Sequence, residues 1–405
     1  MSLAAILSAT AVCSDRPELG RAQLVFAAQT LVEYQARQAM QAGAAQIFIM
    51  VEAVTPALSR LVDRLGGDGA QIHLVRDMAG LVRQLPRESD VLLFADGMIV
   101  DQSYVLELAR EEGNALLVAA DEAMTSKLER VDSTHRWAGV ARITPKTLFN
   151  TLDLIGDWDL VLTLLRAVVQ NDPRRVPVAA QDISEGRIAL IDNQATADLV
   201  GGALAGAVDR SQAGAGAERY LLRPVARFAA ARLMRMQIAP ANIRWAAAGV
   251  SALGLVAVTT GWNIMATVMF LIGLFAGLVA RQVAGLGQQG EGSNLLELVP
   301  AASAAIGLAW LGRYGGASMA GLHLGLIVMT TELAVRKGKA WMLPPWVPVT
   351  PGSGLLILLA GLLAGRLYLA IAVASIAAIA ALAAMLLFGP EEDRAGPVER
   401  KRQRS

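Results

Sequence analysis

Hydrophobic positions along the 405-residue chain follow two regimes that change at about residue 215. In the first, short apolar runs rich in β-branched residues alternate with helical patterns. Runs at 4–8, 46–51, 71–75, 90–95 and 114–120 predict strands. Helices are predicted over about 28–42, 55–65, 77–85, 101–112, 145–154, 157–170 and 195–208. Alternation at this spacing implies parallel strands with crossover helices, hence a doubly wound α/β sheet. Residues 91–94 are continuously apolar, the pattern of a strand buried on both faces.

A Gly- and Ala-rich linker, 212–217, opens the second regime. Residues 218–237 then space Arg219, Arg223, Arg227, Arg232 and Arg235 among Leu, Val, Phe and Met. This is the pattern of a basic amphipathic helix lying at an anionic membrane surface. Beyond it, apolar spans are predicted at about 245–261, 262–280, 295–312, 316–335, 353–365 and 367–388, several near the roughly 20 residues a bilayer requires. Arg235 and Arg244 precede the first span, Arg281 follows the second, and Arg336, Lys337 and Lys339 follow the fourth. Arg400, Lys401, Arg402 and Arg404 close the chain, whereas the opposite turns carry only Arg313 and Arg366. Both termini are therefore expected in the cytoplasm, with the protein multi-pass in the cytoplasmic (inner) membrane. The N-terminus lacks a basic n-region and long apolar core, so no signal peptide is expected.

Composition supports a membrane-bound chain: 54% of residues are hydrophobic, only 18% are charged, and mean hydropathy is +0.45. Lys plus Arg (36) balances Asp plus Glu (35), so no net charge steers it to nucleic acid. The single Cys13 excludes a disulfide framework, a Cys-type zinc site and an iron–sulfur cluster. No aspartate occurs between Asp209 and Asp393. The organisation expected is a cytoplasmic α/β domain over 1–210, a linker and interfacial helix over 211–243, a six-span domain over 244–389, and a basic cytoplasmic tail over 390–405.

From Leu221 to about Trp310 the chain resembles the CDP-alcohol phosphatidyltransferases, six-span enzymes that join an alcohol to a phosphatidyl or similar group with release of CMP. Pro240-Ala241-Asn242-Ile243 is similar to the Pro-Asn pair ahead of the family's first span. Gly277, Ala280, Arg281 and Gly290 fall at the G, A, R and G of the signature D-x2-D-G-x2-A-R-x8-G-x3-D-x3-D. The resemblance implies substrate contacts at Gly277, Arg281 and Gly290. It also implies a homodimer and Mg2+ as the metal of any active form. Yet the signature's aspartate positions hold Gly273, Ala276, Asn294 and Leu298. In the family the first three aspartates bind two divalent metals and the fourth is the base, and hard cations need such anionic oxygens. The acids left in the whole membrane domain, 244–389, are Glu291, Glu297 and Glu332. Glu332 lies in a span, where an ionisable group suggests function, but it is also four residues from Arg336 and can pair with it.

The first half resembles the sugar-phosphate nucleotidyltransferases, and the order of the halves matches bifunctional inositol-phosphate cytidylyltransferase / CDP-alcohol transferases. Thr30-Leu31-Val32-Glu33-Tyr34-Gln35 looks like the family's P-L-I-E-x-Q helix, and Trp137-Ala138-Gly139 is similar to a further stretch. The resemblance places Asp96, of Asp96-Gly97, at the metal-binding aspartate and Arg21 at the phosphate-binding lysine. Its glycine loop, L-x-x-G-x-G-x-R, reads Leu7-Ser8-Ala9-Thr10-Ala11-Val12-Cys13-Ser14 here. In Asp192–Asp198, which looks like a D-x-D-T-x-x-D stretch, Gln194 takes the place of the second metal carboxylate. An Asp-Gly after a strand is also a plain turn signal.

The fold class expected is thus an α/β doubly wound nucleotidyltransferase-like domain followed by an all-α six-span transmembrane bundle. Three functions stand beside one another. One is a catalytically degenerate binding or scaffold protein in phospholipid or lipid head-group metabolism. Another is an active CDP-alcohol phosphotransferase with a site rebuilt from Glu291, Glu297 or Glu332. The last is a membrane-anchored nucleotide-binding module. The expected partners are the bilayer with its anionic head groups, and CTP or a CDP-alcohol. His73, His135 and His323 lack metal-ligand spacing, with His323 expected to be a packed or bundle-facing residue, and Asp157 and Asp159 read as a helix start.

Overall fold

The computed structural model describes residues 2–152, 159–211, 215–236, 238–286, 294–336, 344 and 346–387. It divides into two compact units, one carried by residues 1–207 and the other by segments between 208 and 405.

All five predicted strands form, as β1 (Leu3–Ser8), β4 (Ala44–Met50), β5 (Gln71–Val75), β6 (Asp90–Phe94) and β8 (Ala115–Ala120). Two-residue strands β2 (Val25–Phe26) and β3 (Gln29–Thr30) make a small hairpin, and β7 (Met98–Ile99) pairs with β11 (Ala189–Leu190). Besides these short strands, two strands of the main sheet were not predicted, β9 (His135–Ile143) and β10 (Arg174–Pro177). The main sheet runs β10-β8-β9-β6-β1-β4-β5. It is not wholly parallel: β9 is antiparallel to both β6 and β8.

Polar residues hide β9 from a reading by hydrophobicity. Arg136 and Arg142 interrupt its apolar run, but each is satisfied locally: Arg136 by Asp121, and Arg142 by Asp90 at 2.6 Å. A buried charge without such a partner would cost several kcal/mol. Gly139, at φ +89°, leaves room for Met98, which a Cβ would strike.

Alternating side chains of the sheet feed two cores. Ala5, Leu7, Ile47, Ile49, Leu92 and Phe94 face α1 (Leu31–Gln41), α2 (Pro56–Gly67) and α4 (Gln102–Arg110). Ala4, Ile6, Phe48, Val91 and Leu93 face α3 (Met78–Gln84), α5 (Pro145–Leu152) and α6 (Leu160–Gln170). Helices on both faces make the domain doubly wound, as expected. The short α7 (Ala180–Ser184) and the longer α8 (Gln194–Ser211) complete it. Asp159 caps α6 through Leu162 N at 3.1 Å, whereas Asp157 lies outside the described residues.

The second unit opens with α9, a π-turn at Glu218–Leu222 that continues as Arg223–Arg235. The six expected apolar segments follow as α10 (Pro240–Thr259), α11 (Asn263–Leu286), α12 (Asn294–Tyr314), α13 (Ser318–Arg336), α14 (Pro351–Leu363) and α15 (Leu367–Leu387). Five of them, all but α14, are long and apolar enough to cross a membrane. The 13 residues of α14 span only about 20 Å, against about 30 Å of hydrocarbon. Small residues set the packing distances: Gly312 of α12 lies against Gly321 of α13, and Gly254 and Gly307 accommodate the Phe270 ring.

Candidate functional site

Asp96 follows β6 at the carboxyl end of parallel strands, where open α/β sheets bind ligands. Ala95-Asp96-Gly97-Met98 forms a tight turn, closed by Met98 N–H donating to Ala95 O at 3.4 Å. Gly97 takes φ +77°, which a side chain would strain. From α1, the buried Gln35 Nε2 donates to both Ala95 O and Met98 O at 2.8 Å. The neighbouring Glu33, also buried, holds Arg37 and Arg64, each at 2.7 Å. Glu33 thereby ties α1 to α2, while Gln35 clamps the turn that carries Asp96.

The turn borders a cavity of about 290 Å³ lined by Thr10, Ala11, Arg21, Asp96, Lys127 and Trp137 among others. Asp96 and Arg21, singled out separately in the sequence, thus meet. Arg21 Nε donates to Val12 O at 3.1 Å. Lys127 forms an ion pair with Asp192 at 2.9 Å, which holds the Asp192 carboxyl below its usual range.

The loop preceding Arg21 turns its amides inward. Ala9 N–H donates to Met50 O, Cys13 N–H to Leu19 O and Ser14 N–H to Asp192 O. Ala11 N–H donates to Asp96 Oδ2 at 2.7 Å. A side-chain carboxylate therefore occupies a donor that an anion-cradling loop would offer to phosphate. Asp96 Oδ1 is buried without a hydrogen-bond partner. Burial raises the Asp96 carboxyl from 3.8 to about 6, against the opposing pull of the Ala11 amide and Arg21.

Mg2+ requires several hard oxygens, and this cavity does not fit it. One Asp96 oxygen is taken by an amide, and Gln194 is tied to the Val25 backbone through both amide atoms at 3.0 and 2.9 Å. Among the described residues no three His, Cys, Asp or Glu side chains gather as a metal set.

The raised carboxyl gives a stability test. Because its folded value exceeds its unfolded one, Asp96 contributes stability that is present below about 4 and lost as pH rises through about 6. Asp96→Asn keeps a neutral acceptor for Ala11 N–H and should be more stable than the parent at about pH 8, by on the order of 2–3 kcal/mol. The difference should vanish near pH 4. Thermal unfolding of the full protein at both pH values checks it, and equal stability at pH 8 would show that Asp96 is not a desolvated carboxylate.

In the second unit the signature positions are scattered in role. Gly273 is buried where α11 meets Ser251 and Ala247 of α10. Ala276 and Leu298 are half-buried, Gly277 adjoins Pro300, and Asn294 begins α12. Gly290 and Glu291 lie outside the described residues. The other two glutamates are paired with arginines: Glu297 with Arg244 at 3.0 Å, and Glu332 with Arg336 at 2.8 Å and Arg281 at 4.0 Å. Arg336 also donates to Glu297 O at 3.1 Å. Carboxylates neutralised by guanidinium groups leave no anionic cage for a divalent metal.

Glu218, read in the sequence only as the start of a basic helix, joins this cluster. It lines a small cavity of about 30 Å³ with Arg223, Arg281, Glu332, Arg336 and Thr350. Its signal in the sequence was being the sole acid among the five arginines of that helix. Cys13 is buried. His323 is exposed on α13 instead of facing the bundle.

No protein-family model matches the sequence, and no curated protein matches it. Among solved structures, the chain is similar to the inositol-1-phosphate CTP transferase from T. maritima, at 16% identity and TM-score 0.37, over 49% of this chain and 95% of that one. It is also similar to a UDP-glucose pyrophosphorylase complexed with UDP-glucose, at 10% identity and TM-score 0.32, over 42% of this chain and 87% of that one.

Proposed function

We propose that this is a membrane protein of the CDP-alcohol phosphatidyltransferase type, catalytically degenerate, that binds or scaffolds in phospholipid or lipid head-group metabolism. The observation that carries this reading is that neither site gathers free carboxylates. In the α/β domain an amide of the phosphate loop holds Asp96, and in the bundle Glu297 and Glu332 hold arginines. Diphosphate cleavage needs metal ions or preorganised charge to stabilise the departing phosphate, and neither site presents a carboxylate set for it.

Binding to membrane is the part retained. On α9, Tyr220, Leu221, Val225 and Phe228 are exposed alongside the exposed Arg219, Arg227 and Arg232. An apolar face with flanking arginines suits an anionic interface; five membrane-length helices and the shorter α14 follow it, and in this reading both termini are cytoplasmic.

Full-length protein in lipid nanodiscs, given CDP-diacylglycerol or a CDP-activated polyol with Mg2+ or Mn2+, is expected to release no CMP above background. Metal-dependent CMP release abolished by Glu297→Gln or Glu332→Gln would replace this reading with an active transferase built on a new site.

A further inference from the structure

We infer that Glu218 is a proton-operated fastener that holds the start of the interfacial helix α9 against the N-terminus of α14. The idea is independent of whether either domain binds a nucleotide.

The contact is built from several directions. Glu218 Oε1 accepts from Gly352 N–H at 2.6 Å, and Ala217 N–H donates to Ser353 Oγ at 2.9 Å. Thr350, the N-cap of α14, accepts from Ser353 N–H at 3.5 Å, and its side chain also reaches Glu218. Two glycines make the approach feasible. A Cβ on Gly352 would lie 2.9 Å from Glu218 Oε1, and Gly216, at φ +60°, has Ser353 Oγ and Thr350 Oγ1 2.5 Å from where its own would be. The π-turn over Glu218–Leu222 is an unusual way to begin a helix, of a kind that recurs at functional positions.

The remaining carboxyl oxygen makes the contact sensitive to protons. Glu218 is 8% exposed, and its Oε2 is buried without a partner at the small cavity. Glu332 of α13 faces it there. The other charged groups around the cavity are Arg281 of α11, Arg336 of α13 and Arg223 of α9, with the Arg244–Glu297 pair beyond Arg336. Glu332 already holds Arg336. An orphan acceptor facing a second carboxylate is satisfied most simply when it carries a proton.

Burial first, and the facing Glu332 second, raise the Glu218 carboxyl from 4.5 to about 7. A carboxyl raised on folding stabilises the docked state fully below its unfolded value and loses that contribution as pH rises through its folded value. The fastener is therefore closed in acid and loosened above neutrality.

Amide hydrogen exchange in full-length protein in nanodiscs tests this, with rates corrected for the intrinsic pH dependence of exchange. Peptides covering 215–222 and 350–354 should exchange about tenfold more slowly at about pH 5.5 than at about pH 8.5, with peptides from the middle of α13 unchanged. Glu218→Gln, which keeps the acceptor and supplies a donor at the orphan position, should hold both peptides protected at both pH values. Glu332→Gln removes the facing charge and should move the midpoint of the step to lower pH. A parent protein whose protection does not change with pH overturns the inference. So does the same step surviving in Glu218→Gln, or a midpoint that Glu332→Gln leaves in place.

Discussion

Gly273→Asp, which restores the first aspartate of the transferase signature, should unfold the bundle and create no metal site. The Cβ of any larger residue at position 273 would collide with Ser251 Oγ and come within 3.3 Å of Ala247 O, both on α10. Ser251 Oγ can turn aside only by giving up its 2.8 Å hydrogen bond to Ala247 O, and that backbone oxygen must then yield as well, which loosens the contact between the two helices. Overpacking of this kind costs about 1–3 kcal/mol. A buried carboxylate adds several kcal/mol unless it finds a partner. The arginines of α10, α11 and α13 that pair with acids are committed: Arg244 to Glu297, and Arg281 and Arg336 to Glu332. The sum approaches the whole stability of a typical domain, about 5–15 kcal/mol. Size-exclusion chromatography in detergent should show aggregated Gly273→Asp protein where the parent is monodisperse. Thermal unfolding of any recovered fraction should be shifted down by roughly ten degrees or more. A monodisperse variant with parental stability would mean that α10 and α11 are not in this close contact.

The elements of this chain were legible because their hydrophobic periods are strong. Strands such as 91–94 are uniformly apolar, and the spans are long runs that only a helix can bury. What escaped was structure built from polar residues. β9 carries two arginines whose partners, Asp121 and Asp90, lie 15 and 52 residues back along the chain, so its run showed no continuous apolar stretch to mark a strand. Hydrophobicity likewise gave no sign that this strand would run against its neighbours. At the candidate site, Asp96 and Arg21 were marked by motif and do line one cavity. The inward turn of the loop was not visible, because an amide's acceptor depends on where the chain returns. Glu218 was overlooked for a related reason: its partners, at 350–353, lie more than a hundred residues along the chain.

Gln35→Leu should open the Asp96 turn while leaving the sheet itself in place. Gln35 was noticed as the last residue of a motif, with no role attached, and the structure supplies one. Its amide group donates to the carbonyls at both ends of the turn, Ala95 O and Met98 O, from a position only 1% exposed. Leucine matches the volume but offers no donor, so the buried Met98 O loses its Gln35 partner and the part-buried Ala95 O keeps only the 3.4 Å bond from Met98 N–H. An unsatisfied buried acceptor costs about 1–3 kcal/mol and a lost hydrogen bond about 1 kcal/mol more, so the variant should lose roughly 2–4 kcal/mol. At about 1.4 kcal/mol per factor of ten, exchange of amides over 95–100 should quicken by at least about thirtyfold if the turn opens locally. Strand amides of β1 should be affected less, since β4 and β6 still flank it. The second readout is electrostatic. Once the turn opens, water reaches Asp96, burial no longer raises its carboxyl toward 6, and the loss of stability between about pH 4 and pH 6 should flatten. Unchanged exchange over 95–100 would show that Gln35 does not hold the turn. Faster exchange with the pH slope intact would show instead that the Asp96 carboxyl is raised by something other than the closed turn.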